Sequence, residues 1–193
     1  GSGTFDGGQG SNTIDYSLYS GTLEIDLGQL AASGLDSFTN VAMIIGTGAE
    51  SDRLIGPDSG AVFTFFGSQP GQVRWQISGT LMELSFAGIE ILQGGSGDDS
   101  FVFVAGGSFD GAIDGGGGFN TLDYSNYGSA VLFDLENMSA TGLASFTAIN
   151  QVTGSAYTDT LAGPDGGALF TVDGPNRGRV EWQSSGSPLA LSF

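Results

Sequence analysis

The chain has 193 residues, with 21 Asp and Glu against four basic residues and a formal net charge of −17 at pH 7. That balance makes nucleic acid and anionic membrane poor partners. The chain has no Cys and no His, which excludes disulfides, zinc thiolate sites and His-based nucleophile activation. The 35 Gly follow no three-residue period, so the chain is not collagen, and 39% hydrophobic content with 14 Phe is too apolar for a disordered tail. No apolar run approaches the ~18 residues of a membrane span, so no membrane insertion is expected. The opening Gly1-Ser2-Gly3 carries no charged or apolar leader.

In chain order, the first signal is a glycine-rich turn, Asp6-Gly7-Gly8-Gln9-Gly10-Ser11-Asn12, followed by Thr13-Ile14-Asp15-Tyr16-Ser17. Thr22 to Leu27 alternates, which predicts a strand with Leu23, Ile25 and Leu27 inward and Thr22, Glu24 and Asp26 outward. A turn near Gly46 leads to Asp52 and Leu54. Residues 61–66 and 101–104 are apolar on both strand faces, so one face should meet a loop or a neighbouring molecule. Trp75 reads as core or flank packing, with a sugar-stacking platform as the other reading.

The next element is Gly94-Gly95-Ser96-Gly97-Asp98-Asp99-Ser100-Phe101-Val102, which fits G-G-x-G-x-D-x-U-x with U a large apolar residue. Glycines allow positive φ, so several carbonyl oxygens can converge. The Asp adds a hard anionic oxygen of the kind Ca²⁺ prefers. The apolar residue two positions later starts an inward-facing strand. The plainer reading is a turn whose Asp bonds its own backbone.

From here the chain repeats itself. Asp6 to Ser17 returns as Asp114 to Ser125, and at the same offset Val131, Phe133 and Leu135 take the inward places of Leu23, Ile25 and Leu27. Asp52 to Asp58 returns as Asp159 to Asp165, and Trp75 as Trp182, at an offset shorter by one. Residues 1–108 form a first copy, which contains the nonapeptide 94–102; residues 109–193 form a truncated, continuous second copy. Gly-rich turns recur at intervals of one or two ~20-residue units, and helical periodicity is nearly absent. This predicts an all-β, right-handed parallel β-helix with coils of about 20 residues stacked ~4.8 Å apart. Two tandem β-sandwich domains, one per copy, are the alternative.

The nonapeptide and the doubled Asp-Gly-Gly-x-Gly-x-Asn-Thr-(Ile/Leu)-Asp-Tyr-Ser resemble hemolysin-type (repeats-in-toxin) calcium-binding repeats, and resemble further the β-helical repeat regions of giant bacterial adhesins. The resemblance implies Ca²⁺ held between successive turns by Gly94, Gly95, Gly97 and Asp99. The step from Gly94 to Gly115, about one coil, implies a partner turn ending at Asn120, with Asp98 or Asp114 nearby. Asn12 and Asn120 depart from the family's Asp, and lack its charge. The implied function is a non-catalytic structural segment of an extracellular bacterial surface protein, an adhesin stalk or fibre subunit. It would stack head to tail on neighbouring copies or adjacent repeats, and calcium would stabilise it.

Two other functions compete with this one. A glycan-binding adhesion module would cluster Tyr16, Tyr19, Tyr124 and Trp75 on an open groove, whereas burial of Trp75 and Trp182 favours a scaffold. A polysaccharide-acting β-helix enzyme would want basic clamps and a His or Lys acid–base; Arg53 aligns with Thr160, Arg74 with Glu181, and no enzyme is expected. Asn137-Met138-Ser139 matches a glycosylation acceptor. The closing stretch Pro188 to Phe193 predicts a core strand through Leu189, Leu191 and Phe193, and both ends look open to a further coil.

Overall fold

The computed structural model describes residues 3–67, 71–184 and 187–193. Among them the chain forms 22 short strands and no helix, arranged as two mixed sheets of 11 strands each. Gly, Asp and Asn recur in the turns and keep the strands short, and period-two alternation sorts their side chains. Leu23, Ile25 and Leu27 point into the core, as do Val131, Phe133 and Leu135.

The chain alternates between the sheets. Gly3–Asp6 lies in the first, Thr13–Asp15 in the second and Glu24–Asp26 in the first again. Parallel pairs join successive passes: Thr13–Asp15 lies beside Met43–Ile45, and Arg53–Ile55 beside Ile91–Gln93. Ser100–Phe103 is likewise flanked in parallel by Ala61–Phe65 and Thr121–Asp123. The sheets do not break where the copies meet. Ile91–Gln93 of the first copy pairs with Ala112, Ile113 and Asp114 of the second, so the two copies share both sheets and do not form one sandwich each.

Parallel partners at the expected spacing of about 20 residues occur in one stretch only. Ile91 stands opposite Ala112 and Ser100 opposite Thr121, each a single coil's step along the chain. Elsewhere parallel partners lie further apart in sequence: Glu24 stands opposite Arg53, and Met43 opposite Ser85. The cause is a set of antiparallel meanders that a regular coil does not contain. Glu24–Asp26, Ala31–Ala32 and Leu35–Thr39 fold back on one another in the first sheet, and Ala61–Phe65, Gly71–Ile77 and Thr80–Ala87 do so in the second. Both recur in the second copy, as Leu132–Asp134, Ser139–Ala140 and Leu143–Thr147, and as Ala168–Gly174, Arg177–Ser184 and Ser187–Ser192. The tight link between Ile77 and Thr80 uses Ser78 (φ 51) and Gly79 (φ 80), two positive φ values in succession, which match the right-handed twist of a hairpin.

The core joins aliphatic residues of both sheets to an aromatic stack that runs across the strands of the second. Phe65 stacks on Phe103 at 4.5 Å, and Phe103 on Tyr124 at 4.5 Å with nearly coplanar rings. Phe63 stacks on Phe101 at 5.0 Å. Eleven strands at ~4.8 Å spacing give each sheet a width of about 48 Å, well beyond the length of any single strand. At the closing strand Leu191 is buried as expected, but Leu189 is exposed. Gly1 and Ser2, at the opening of the chain, lie outside the described residues.

Candidate functional site: the stacked turns

The strongest local signal of the sequence lies in a column of turns along one side of the sheets. The turn Gly94 to Asp99 stacks on the turn Gly115 to Asn120, as their one-coil separation implies. The Gly117 amide donates to the Gly95 carbonyl (3.0 Å), the Gly94 amide to the Asp114 carbonyl (2.8 Å) and the Thr121 amide to the Asp99 carbonyl (2.9 Å). On the other side lies the Pro57–Gly60 turn, where the Asp58 carboxylate accepts from the Ser96 amide (3.1 Å) and hydroxyl (2.8 Å). Close approach explains the glycines. A Cβ on Gly94 would collide with the Asp99 carboxylate and the Gly115 carbonyl, and one on Gly97 with the Asp58 carbonyl.

The Asp99 carboxylate points inward and is 2% exposed. One oxygen accepts from the Ala61 amide (2.7 Å), at the start of a neighbouring strand, and the other from the Gly95 amide of its own turn (3.1 Å). Burial pushes its carboxyl up to about 6, against the opposing effect of those two amides. Asn120 occupies the equivalent place one turn on, fully buried. Its side-chain oxygen accepts from the Asp99 amide (3.0 Å), and its NH₂ donates to the carbonyls of Gly117 (2.9 Å) and Ala148 (3.0 Å). Asn12 donates in the same way to the Asn40 carbonyl (2.8 Å).

The other predicted ligands face amides too. Asp98 accepts from the Phe119 amide (2.7 Å) and Asp114 from the Gly116 amide (3.0 Å). Gly95 offers a carbonyl already bonded to Gly117. Gly94, Gly95, Gly97, Asp98, Asp99, Asp114 and Asn120 are thus brought into one column, but their carboxylates are turned to separate N–H groups and do not converge. Among the described residues no cluster of three or more acidic, His or Cys side chains could hold a metal ion. The carboxylates of this donor set cap backbone amides, and calcium binding here is carried by the resemblance alone.

The capping role extends to Asp52 and to its counterpart in the second copy, Asp159. Asp52 accepts from the Leu23 amide (2.9 Å) and from the Thr47 amide and hydroxyl. Asp159 accepts from the Val131 amide (2.8 Å) and from the Ser155 amide and hydroxyl (both 2.7 Å). Asp52, Asp99 and Asp159 are one device used three times. Each stands immediately before a strand, and each joins one amide of its own turn to an amide at, or one residue before, the start of a neighbouring strand. In all three the Asp is followed two residues later by Leu or Phe.

The aromatic residues resolve differently from a sugar platform. Trp75 is 4% and Trp182 6% exposed. The buried Tyr16 and Tyr124 donate their hydroxyls to the carbonyls of Ser33 (3.0 Å) and Thr141 (2.9 Å). Tyr19 is exposed and packs edge-on against Tyr16. An open groove beside the turn column is lined by Gln29, Ser59, Ser96 and Gly117, with Asp26 and Asp58 as its charged side chains. No protein-family model, curated protein or solved structure matches the chain.

Proposed function

We propose that the chain is a non-catalytic structural repeat segment, a β-solenoid whose passes wind right-handed and whose rungs stack on those of adjacent repeats or neighbouring copies. On the resemblance of its turns, its place is the surface of a bacterial cell, in an adhesin stalk or a fibre. The observation that carries the structural reading is the burial of the repeated aromatic residues. Trp75, Trp182, Tyr16 and Tyr124 are spent on the interior, where a glycan-binding module would present them on an open face. Other features support it as well. The carboxylates of the turn column are engaged with backbone amides, and the charged side chains lining the groove are acidic, an arrangement unsuited to acidic polysaccharide.

Tryptophan emission and sedimentation test this together. Emission should be blue-shifted, resistant to acrylamide quenching and unchanged by a panel of neutral and acidic polysaccharides. Sedimentation should give an elongated particle. Saturable quenching of Trp75 or Trp182 by any polysaccharide would favour the glycan-binding module instead.

A further inference from the structure

At one end of both sheets an edge strand has no neighbour on its outer side among the described residues: Thr160–Ala162 in the first sheet and Ala168–Gly174 in the second. The offset between the copies equates them with Arg53–Ile55 and Ala61–Phe65, and there the same surface is covered. Ile91–Gln93 lies on the first with Leu92 opposite Leu54, and Ser100–Phe103 on the second with Phe101 opposite Phe63 and Phe103 opposite Phe65. Covered in this way, Leu54, Phe63 and Phe65 are buried. Their counterparts are not: Leu161 is half-buried, Phe170 is 44% and Val172 70% exposed. An unpaired strand row with an apolar face open to solvent is a template for strand addition.

We infer that this edge is a docking surface for one further two-strand rung with the chemistry of residues 87–108, presented by an adjacent repeat. Both strands of the incoming rung run parallel to the edge. An aliphatic residue in the place of Leu92 covers Leu161, and two aromatic rings in the places of Phe101 and Phe103 cover Phe170 and Val172. A glycine-rich turn joins the two strands. Its Asp caps the Ala168 amide as Asp99 caps Ala61, and its Ser reaches Asp165 as Ser96 reaches Asp58. The inference rests on the repeat-array reading above, yet it fails separately, because it concerns one edge and one occupant whatever the location of the protein.

The test adds the rung to the intact chain. Phe193 is the counterpart of Phe86, so a second copy of residues 87–108 placed directly after Phe193 continues in frame. The extended chain should melt at least about 5 °C higher. Amides of 160–162 and 168–172 should gain hydrogen-exchange protection. Phe170→Asp should leave the parent chain's midpoint nearly unchanged and abolish the gain in the extended chain. Phe101→Asp in the appended copy should do the same. An unchanged midpoint with unchanged protection overturns the inference. So does a Phe170→Asp loss that is equal in both chains. It is also overturned if the extension gains nothing while the parent self-associates through Phe170, since a second copy would then be the occupant.

Discussion

Replacing Asp99 by Ala deletes the acceptor of two amides at once. Ala61 is itself buried (5% exposed) whereas Gly95 lies in a half-buried turn, so water can reach the second amide better than the first. An orphaned buried N–H costs about 1–3 kcal/mol, so the expected loss is about 3 kcal/mol, or a fall of roughly 6–12 °C in melting midpoint for a chain of this size. Asp99→Asn keeps one acceptor and should lose about half as much. The pair also isolates a titration. The folded carboxyl sits at about 6, above its ordinary value of about 3.9. The folded state therefore binds this proton more tightly. Stability from this group is full below about pH 4 and is lost as pH rises through about 6. Wild type should gain stability relative to Asp99→Asn as pH falls from 6.5 to 4.5. The lowered carboxyls of Asp6, Asp15 and Asp134 act in the opposite direction, but below their ordinary value, outside this window. Thermal melts of the three proteins, in EGTA and in millimolar calcium, decide the matter. The Asp99→Ala loss should be the same in both media. A loss present only with calcium would refute the capping argument, and so would parallel pH profiles for wild type and Asp99→Asn.

Further outcomes follow from the contrast between covered and open places. Phe63→Ala empties a stacked core position and should cost about 3–5 kcal/mol, whereas Phe170→Ala, at the equivalent exposed place, should cost under about 1 kcal/mol; urea titration reads both. Gly94→Ala drives a Cβ into the Asp99 carboxylate and the Gly115 carbonyl and should lower the midpoint at least as far as Asp99→Ala. Gly48→Ala has open space around it and should be nearly neutral. EGTA alone should leave the wild-type midpoint in place, because the turn column is closed by its own hydrogen bonds.

The elements read from the sequence and those missed from it differ for physical reasons. Leu23, Ile25 and Leu27 were legible as a core face because period-two alternation is a local property. The stacking of Gly94 to Asp99 on Gly115 to Asn120 was legible because no meander interrupts that single-coil step. The four meanders were not legible as such, since a meander strand and a rung strand alternate alike and differ only in their distant partner. The turn Ser78-Gly79 was the one local sign of the second meander, and Asn or Asp before Gly would have marked it more strongly. The direction of the Asp99 carboxylate was also beyond the motif. A turn Asp serves a cation or an amide with the same residue pattern, and only the approach of Ala61 decides between them. The recurrence of Asp immediately before a strand at Asp52, Asp99 and Asp159 was the available clue.

Both copies contribute successive strands to shared sheets. Because the chain has no Cys, an engineered pair tests this arrangement against a clean background. Ser100 and Thr121 stand directly opposite each other on adjacent parallel strands, and their neighbours Phe101 and Leu122 both point inward. Side chains at 100 and 121 therefore leave the sheet on the same outer face, at a Cα separation of the ~4.8 Å strand spacing, within disulfide range. The Ser100→Cys/Thr121→Cys protein should close its disulfide rapidly under mild oxidation while folded, without loss of melting midpoint. The displaced pair Ser100→Cys/Asp123→Cys should stay reduced. Closure of the displaced pair instead, or closure of either pair only after denaturation, would contradict the shared-sheet architecture.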